Sequence, residues 1–157
     1  IEWTRQQLTD DEKDFLRNLR MTSQPSKITI VHATLDSPRR WGYIFDKHSA
    51  GASFSYQFSQ ICFCGHSHVP MAFEKFGTIQ GGKYQEIKVQ PGHKYLVNVG
   101  SVGQPRDGDW RSAFVTYDTD EGVIKLHRIE YDIETAQQKI LEAGLPERLA
   151  QRLERGQ

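Results

Sequence analysis

The chain is predicted to be an α/β domain with a mixed sheet, hairpins and outer helices. Three observations carry this. Two short and almost wholly apolar runs, residues 27–32 (KITIVH) and 60–64 (QICFC), have the composition of buried strands. Two later stretches read as hairpins, each folded about a turn-forming segment. Well-marked helices stand at both ends of the 157 residues.

Thr9-Asp10-Asp11-Glu12 is a capping-box pattern, and Phe15, Leu16 and Leu19 supply an apolar stripe behind it. A helix is therefore expected over residues 10–19, with Trp3 and Leu8 in a short helical lead-in. Pro25 lies in the stretch that ends it. Residues 27–32 follow as a strand expected to be covered on both faces, and then a turn-rich loop to Arg40. Residues 41–60 are ambiguous, because Tyr43, Phe45, Phe54 and Phe58 fit no single period; helical pieces are expected. Residues 60–64 form the next buried strand. Residues 70–76 and 84–89 are expected to pair around the segment 77–82. Residues 95–99 (YLVNV) make a further strand, followed by a glycine-rich turn over 100–109. Residues 113–117 and 123–130 make the second hairpin. Two helices close the chain, over 133–143 and 146–155, with Gly144 and Pro146 punctuating them.

Composition narrows the function classes. Hydrophobic residues make up 37% and charged residues 25%, as in a globular protein and unlike a disordered one. Lys plus Arg and Asp plus Glu number 20 each, so no global field favours nucleic acid or anionic lipid. No apolar run approaches the roughly 18 residues of a membrane span. Two cysteines, Cys62 and Cys64, are too few to staple a chain of this length, and a reducing, cytoplasmic compartment is expected. The chain opens on Ile1 rather than Met, which leads to the expectation that something functional lies upstream.

The histidines hold the chemistry. His32 closes the strand KITIV. His66 and His68 follow QICFC directly, in Gly65-His66-Ser67-His68-Val69-Pro70. Ligands of open α/β sheets bind beyond the carboxyl ends of the strands. If the two strands are parallel neighbours, three imidazoles meet there. In extended chain, residues two apart face the same way, so His66 and His68 could address one site, with Gly65 easing the turn. The alternative is that each is a polar residue at a strand edge. His48, His93 and His127 have less to recommend them. His48 forms an Asp-x-His triplet with Asp46, His93 sits in a Pro-Gly-His turn and reads as solvated, and His127 alternates within a hairpin strand.

Gly65-His66-Ser67-His68 resembles the last signature of the calcineurin-like metallophosphoesterases, and Val31-His32-Ala33 resembles the one before it, with Ala33 where that family often has Gly. Together with Asn98-Val99-Gly100-Ser101-Val102-Gly103-Gln104-Pro105-Arg106-Asp107-Gly108, these motifs are similar to a small bacterial branch of compact phosphodiesterases and diadenosine-tetraphosphatase-like proteins. The opening residues 1–8 resemble a segment that lies mid-domain in that branch. The family's first three signatures, Asp-x-His, Gly-Asp-x-x-Asp and Gly-Asn-His-Asp/Glu, have no counterpart in the expected place. Asp46-Lys47-His48 matches the first by letters only, and Gly108-Asp109 lacks the second Asp.

The resemblance therefore implies that residues 1–157 are the C-terminal portion of one metallophosphoesterase domain, a calcineurin-like α/β sandwich. It implies hydrolysis of a phosphate ester or phosphoanhydride by a hydroxide activated between two divalent ions, of manganese, iron, zinc or nickel. By position, His32 and His66 would serve the second metal and His68 the first. The carboxylate and Asn ligands, and the protonating His, would come from upstream, so the isolated chain is expected to be inactive. Arg106, in the glycine-rich turn, and Arg39 and Arg40, after His32, could fork onto phosphate oxygens. Arg106 could instead pair with Asp107 or Asp109 and only shape the turn. The implied partners are a small phosphorylated substrate and the N-terminal part of the same domain, with a homo-oligomer as a further outcome and no nucleic-acid or membrane partner. Other readings are a binding module that kept the fold without the chemistry, and a hydrolase using one ion on His32, His66 and His68 alone. If half of a sandwich lies elsewhere, apolar sheet surface should be open here.

Overall fold

The computed structural model describes residues 1–157 as two sheets and five helices. The first sheet has six strands in the order β1-β2-β3-β7-β4-β5. They are β1 (Thr22–Ser23), β2 (Ile28–Val31), β3 (Ile61–Cys64), β4 (Met71–Phe76), β5 (Thr78–Gly82) and β7 (Lys94–Asn98). β2, β3 and β7 run parallel at its centre, and the flanking pairs are antiparallel. The second sheet is antiparallel, with β6 (Glu86–Lys88), β9 (Val123–Ile129) and β8 (Ser112–Asp118) in that order. The sheet is mixed, as expected.

Alternation along the central strands builds two cores. One face of the large sheet presents Val31, Cys62, Cys64, Phe73 and Leu96 to Ala50 and Phe54 of α3 (Lys47–Phe54) and to Ile44. Cys62 and Cys64, two apart on one strand, share this face. The other face presents Ile61, Ala72, Tyr95 and Val97 to the small sheet, where Ile124 is fully buried. The order is helix, sheet, sheet, each layer closing an apolar face that the previous one leaves.

β2 is not covered on both faces. Thr29 and Val31 are buried, while Ile30 is 45% exposed. The reason is the mismatch in width: three strands lie over six, and the small sheet ends at β8 before reaching β2. An apolar cleft of about 860 Å³ remains there, lined by Leu16, Ile30, Phe63, Val115 and Tyr117 among others. Its outer wall is α2 (Asp10–Asn18), whose capping box forms as expected, with Thr9 accepting from the Glu12 N–H. Neither α2 nor α1 (Glu2–Gln7) buries a residue.

The first hairpin differs from expectation. β4 pairs with β5 across Gly77, and residues 86–88 cross to the other sheet as β6. The glycine-rich segment is itself the partner strand. Its Gly81 is required, because a Cβ there would collide with the Ala72 carbonyl oxygen. The strand β1, within the stretch expected only to end a helix, was also unforeseen. The second hairpin forms as expected, as do α4 (Ile133–Glu142) and α5 (Glu147–Arg155). No helix is long and apolar enough to cross a membrane.

Candidate metal centre

Because β2, β3 and β7 are parallel neighbours, their carboxyl ends open on one edge of the sheet. The ladder continues past them: the Gly65 N–H donates to the His32 carbonyl at 3.0 Å and the Val99 N–H to that of Cys64 at 2.9 Å. His32 and the Gly65–His68 turn are thereby held side by side. His32 Nε2 lies 3.1 Å from His66 Nδ1, with ring centroids 5.1 Å apart. His66 Nε2 faces the Trp41 carbonyl at 3.0 Å. A carbonyl only accepts, so this nitrogen carries the proton and Nδ1 turns a lone pair toward His32. His68 Nδ1 donates to the Gln104 carbonyl at 2.7 Å, which leaves its Nε2 free to ligate.

Desolvation in the crevice lowers the pKa of His32, helped by the charges His66 and His68 would carry. Desolvation also dominates at His68 and outweighs its bond to Gln104, with Arg106, His66 and Arg152 pushing the same way. Both shifts favour the neutral ring, the form a metal ion needs. The trio supplies nitrogen but no negative charge. No three His, Cys, Asp or Glu residues in the chain stand as a ready cage, and His32 and His66 turn to each other instead. As they stand the three rings complete no site for one ion, and without carboxylates they cannot balance two divalent ions beside a phosphate.

The turn is built differently from the extended segment expected. His66 (φ 63°) and His68 (φ 60°) are both left-handed, while Gly65 is not. Trp41 (φ 54°) is left-handed too, so three of the chain's four non-glycine residues of this kind surround the site. Such conformations persist only where the surroundings impose them. Asn98, at the end of β7, is one cause, and sequence reasoning missed it. Its buried amide donates to the Gly65 carbonyl at 2.6 Å and to Ser67 Oγ at 2.9 Å, and its Oδ1 accepts from the Gly100 N–H at 3.0 Å. Gly100 is itself obligatory: at φ 80°, a Cβ would sit 2.7 Å from Ala113 Cβ and 2.8 Å from Pro70 Cγ. The signal available was an Asn ending an apolar strand just before that glycine.

Arg106 is close enough to His68 to depress its pKa, and its N–H donates to the His68 carbonyl at 3.1 Å. It makes no ion pair with Asp107 or Asp109. Asp107 is taken by Arg128, and Asp109 by Arg111 at 2.7 Å. The Arg106 guanidinium bonds only Gln104 Oε1, and its Nε is buried without a partner. Arg39 and Arg40 lie on a single 3₁₀ turn, Pro38–Arg40, and together with Arg20 edge an open hollow of about 650 Å³. Arg152 of α5 also lies near enough for its charge to reach His68.

The Asp109–Arg111 pair braces this loop and carries a pH signature. Hydrogen bonds from the Arg111 side chain chiefly hold the Asp109 carboxyl down at about 2, below its ordinary 3.8. The unfolded chain takes up that proton first, so the stabilisation is full above pH ~4 and is lost as pH falls toward ~2. Urea midpoints measured between pH 5 and 2.5 should fall less steeply for Asp109→Asn than for the parent. An unchanged slope would contradict the assignment.

The remaining candidates lie apart from the crevice. Asp46 caps α3 by accepting from the Ser49 N–H, so Asp46-Lys47-His48 is a helix start. His93 is not simply solvated: it bonds Glu74 at 2.5 Å and stacks on Phe76. His127 pairs with Thr116 across the second hairpin. Burial pushes the Cys62 thiol up to about 12 and that of Cys64 higher still, so neither is a thiolate ligand as it stands.

Comparison with known proteins agrees with this layout. Residues 4–122 match the family model described as "Calcineurin-like phosphoesterase superfamily domain". The chain is 33% identical over 159 residues to uncharacterized protein MJ0912 of Methanocaldococcus jannaschii, covering 98% of this chain and 63% of that protein. The crystal structure of a metallophosphoesterase from Sphaerobacter thermophilus superposes with a TM-score of 0.90 at 33% identity, over 99% of this chain and 65% of that one. Hypothetical protein PH1004 from Pyrococcus horikoshii shares the fold, with a TM-score of 0.74 at 18% identity, over 98% of this chain and 57% of that one. This chain thus spans less than two thirds of the length of each of these relatives. With the matched span running from α1 through β8 and across all three strand-end histidines, the chain belongs to the calcineurin-like phosphoesterase superfamily.

Proposed function

We propose that this chain is the histidine-bearing portion of a metal-dependent phosphoesterase, hydrolysing a phosphate ester or phosphoanhydride once an upstream portion of the same domain completes the site. The observation that carries the reading is the 3.1 Å approach of His32 and His66 at the ends of parallel strands, with the neutral His68 beside them. In the completed site His32 and His66 would hold one divalent ion and His68 would join a second. Such ions would supply Lewis acidity and a nucleophile at neutral pH. The chain's own residues do the positioning. Asn98 fixes the turn that bears His66 and His68, and the Gln104 carbonyl fixes the face that His68 presents. Arg106, free of ion pairs, stands where a guanidinium could meet phosphate oxygens, and Arg39 is a second candidate at the rim.

Two features support completion from outside. The donor set lacks carboxylates, and the apolar cleft beside His32, with β8 as a free sheet edge, is of a kind that a further strand closes. The test is metal content together with turnover of p-nitrophenyl phosphate esters, with and without the upstream portion. Manganese-stimulated turnover only in the longer protein is expected. One zinc per chain with activity in the 157-residue chain would favour the three-His hydrolase, and no metal with no turnover in either form would favour a binding module.

A further inference from the structure

The loop between His32 and α3 displays aromatic rings that the metal reading does not use. Residues 41–45 run without helix or strand pairing. Ile44 is anchored in the core, 4% exposed, and Gly42 lies against Thr34. The alternate residues Trp41, Tyr43 and Phe45 are left 50%, 50% and 51% exposed. They are not scattered. The Tyr43 ring lies over His66, with centroids 4.5 Å apart and planes 21° apart, and Phe45 continues the stack at 5.7 Å and 10°. Trp41 sets its ring against His32 at 5.2 Å and His66 at 5.7 Å. The result is a ladder of rings leading from the candidate metal centre into solvent. Arg39 and Arg40 immediately precede it, and neither makes an ion pair.

Three large rings left in water at one spot mark a binding surface more often than chance exposure does. This surface is specific in shape. Near-parallel rings beside a phosphate-handling centre suit a flat aromatic group, which gains stacking without requiring any particular hydrogen-bond pattern. The neighbouring guanidiniums suit the anionic end of the same molecule.

We propose that Trp41, Tyr43 and Phe45 form a stacking platform for the aromatic group of the substrate's alcohol, so that the site selects phosphate esters of nucleosides over those of simple alkyl alcohols. The substrate assignment rests on the phosphoesterase reading; the platform itself does not require turnover. Phe45 is the outermost ring and touches no candidate metal ligand, so it is the residue to change.

The test is calorimetric titration of the full chain, with Mn²⁺ present, by AMP and by ribose 5-phosphate. AMP should bind about 10-fold tighter. Phe45→Ala should remove most of that difference, and Phe45→Tyr should keep it. Equal affinity for the two compounds, no binding of either, or a Phe45→Ala variant that retains the full preference would overturn the platform. A preference for AMP in a longer protein without turnover would sink the phosphoesterase reading and leave the platform in place. Turnover without that preference would do the reverse. If the upstream portion covers the ladder, the preference is present in the 157-residue chain and lost in the longer protein, which overturns the platform as a substrate site.

Discussion

Replacing His66 with alanine should lower phosphoesterase turnover of the longer protein on the order of 10³-fold or more, with little change in melting temperature. Changes to groups that merely orient ligands in metal sites cost about 10- to 100-fold, so loss of a ligand should cost more. His66 is the best ring to remove because it stands between the others. Its Nδ1 faces His32, its Nε2 is tied to the Trp41 carbonyl, and Tyr43 lies on its face. It is half-buried and belongs to neither hydrophobic core, so the fold should tolerate its loss. Alanine also adopts a positive φ reluctantly, as His66 already must, so backbone strain is not added. Metal content and melting temperature should be measured on the same sample. Unchanged metal content with full turnover, or turnover lost only because the protein unfolds, would contradict a ligand role.

Replacing Asn98 with alanine should have the opposite balance. The side chain is 3% exposed and serves the Gly65 carbonyl, Ser67 Oγ and the Gly100 N–H at once. Removing it strands the buried Gly100 N–H and takes one of the partners of the Gly65 carbonyl and of Ser67 Oγ, loosening two segments at once; a buried group left unpaired costs roughly 1–3 kcal/mol. A loss of about 3 kcal/mol is expected after partial relaxation. That corresponds to a fall of roughly 6–12 °C in melting temperature for a chain of this size. Asn98→Asp should not rescue it, because a carboxylate cannot donate to the Gly65 carbonyl. Metal affinity should drop about 10- to 100-fold in the fraction that remains folded, since the His66–His68 turn loses its brace. A variant with an unchanged melting temperature would show that the turn holds itself.

The class of the fold was legible because its central strands advertise themselves. KITIV and QICFC are too short and too apolar to be surface helices, and their parallel pairing is what brings the histidine rings together. The capping box at Thr9 and the Gly144–Pro146 break were legible for the same reason: each is a local backbone requirement met by a local residue. What escaped the sequence was whatever depends on a neighbour distant in the chain. β5 needs its Gly81 because that residue packs on Ala72 and Phe73, and no local signal names that contact. The exposure of Ile30 depends on where the second sheet stops. The same holds in the site. His32, His66 and His68 were visible as residues at strand ends, but the extended H-x-H geometry was wrong, because Asn98 and Gly100 reach in from another strand and the turn is left-handed. The freedom of Arg106 could not be read from a loop containing two aspartates; it follows from Arg128 and Arg111 having claimed them.

The central claim is that His32, His66 and His68 bind divalent metal through their nitrogens. The direct measurement is anomalous diffraction from crystals of the longer protein grown with Mn²⁺. Two peaks are expected, one within bonding distance of His32 and His66 nitrogens and the other of His68 Nε2, each about 2.0–2.3 Å from its nitrogen. A map with His32 and His66 still hydrogen-bonded to each other and no peak between the three rings would contradict the account.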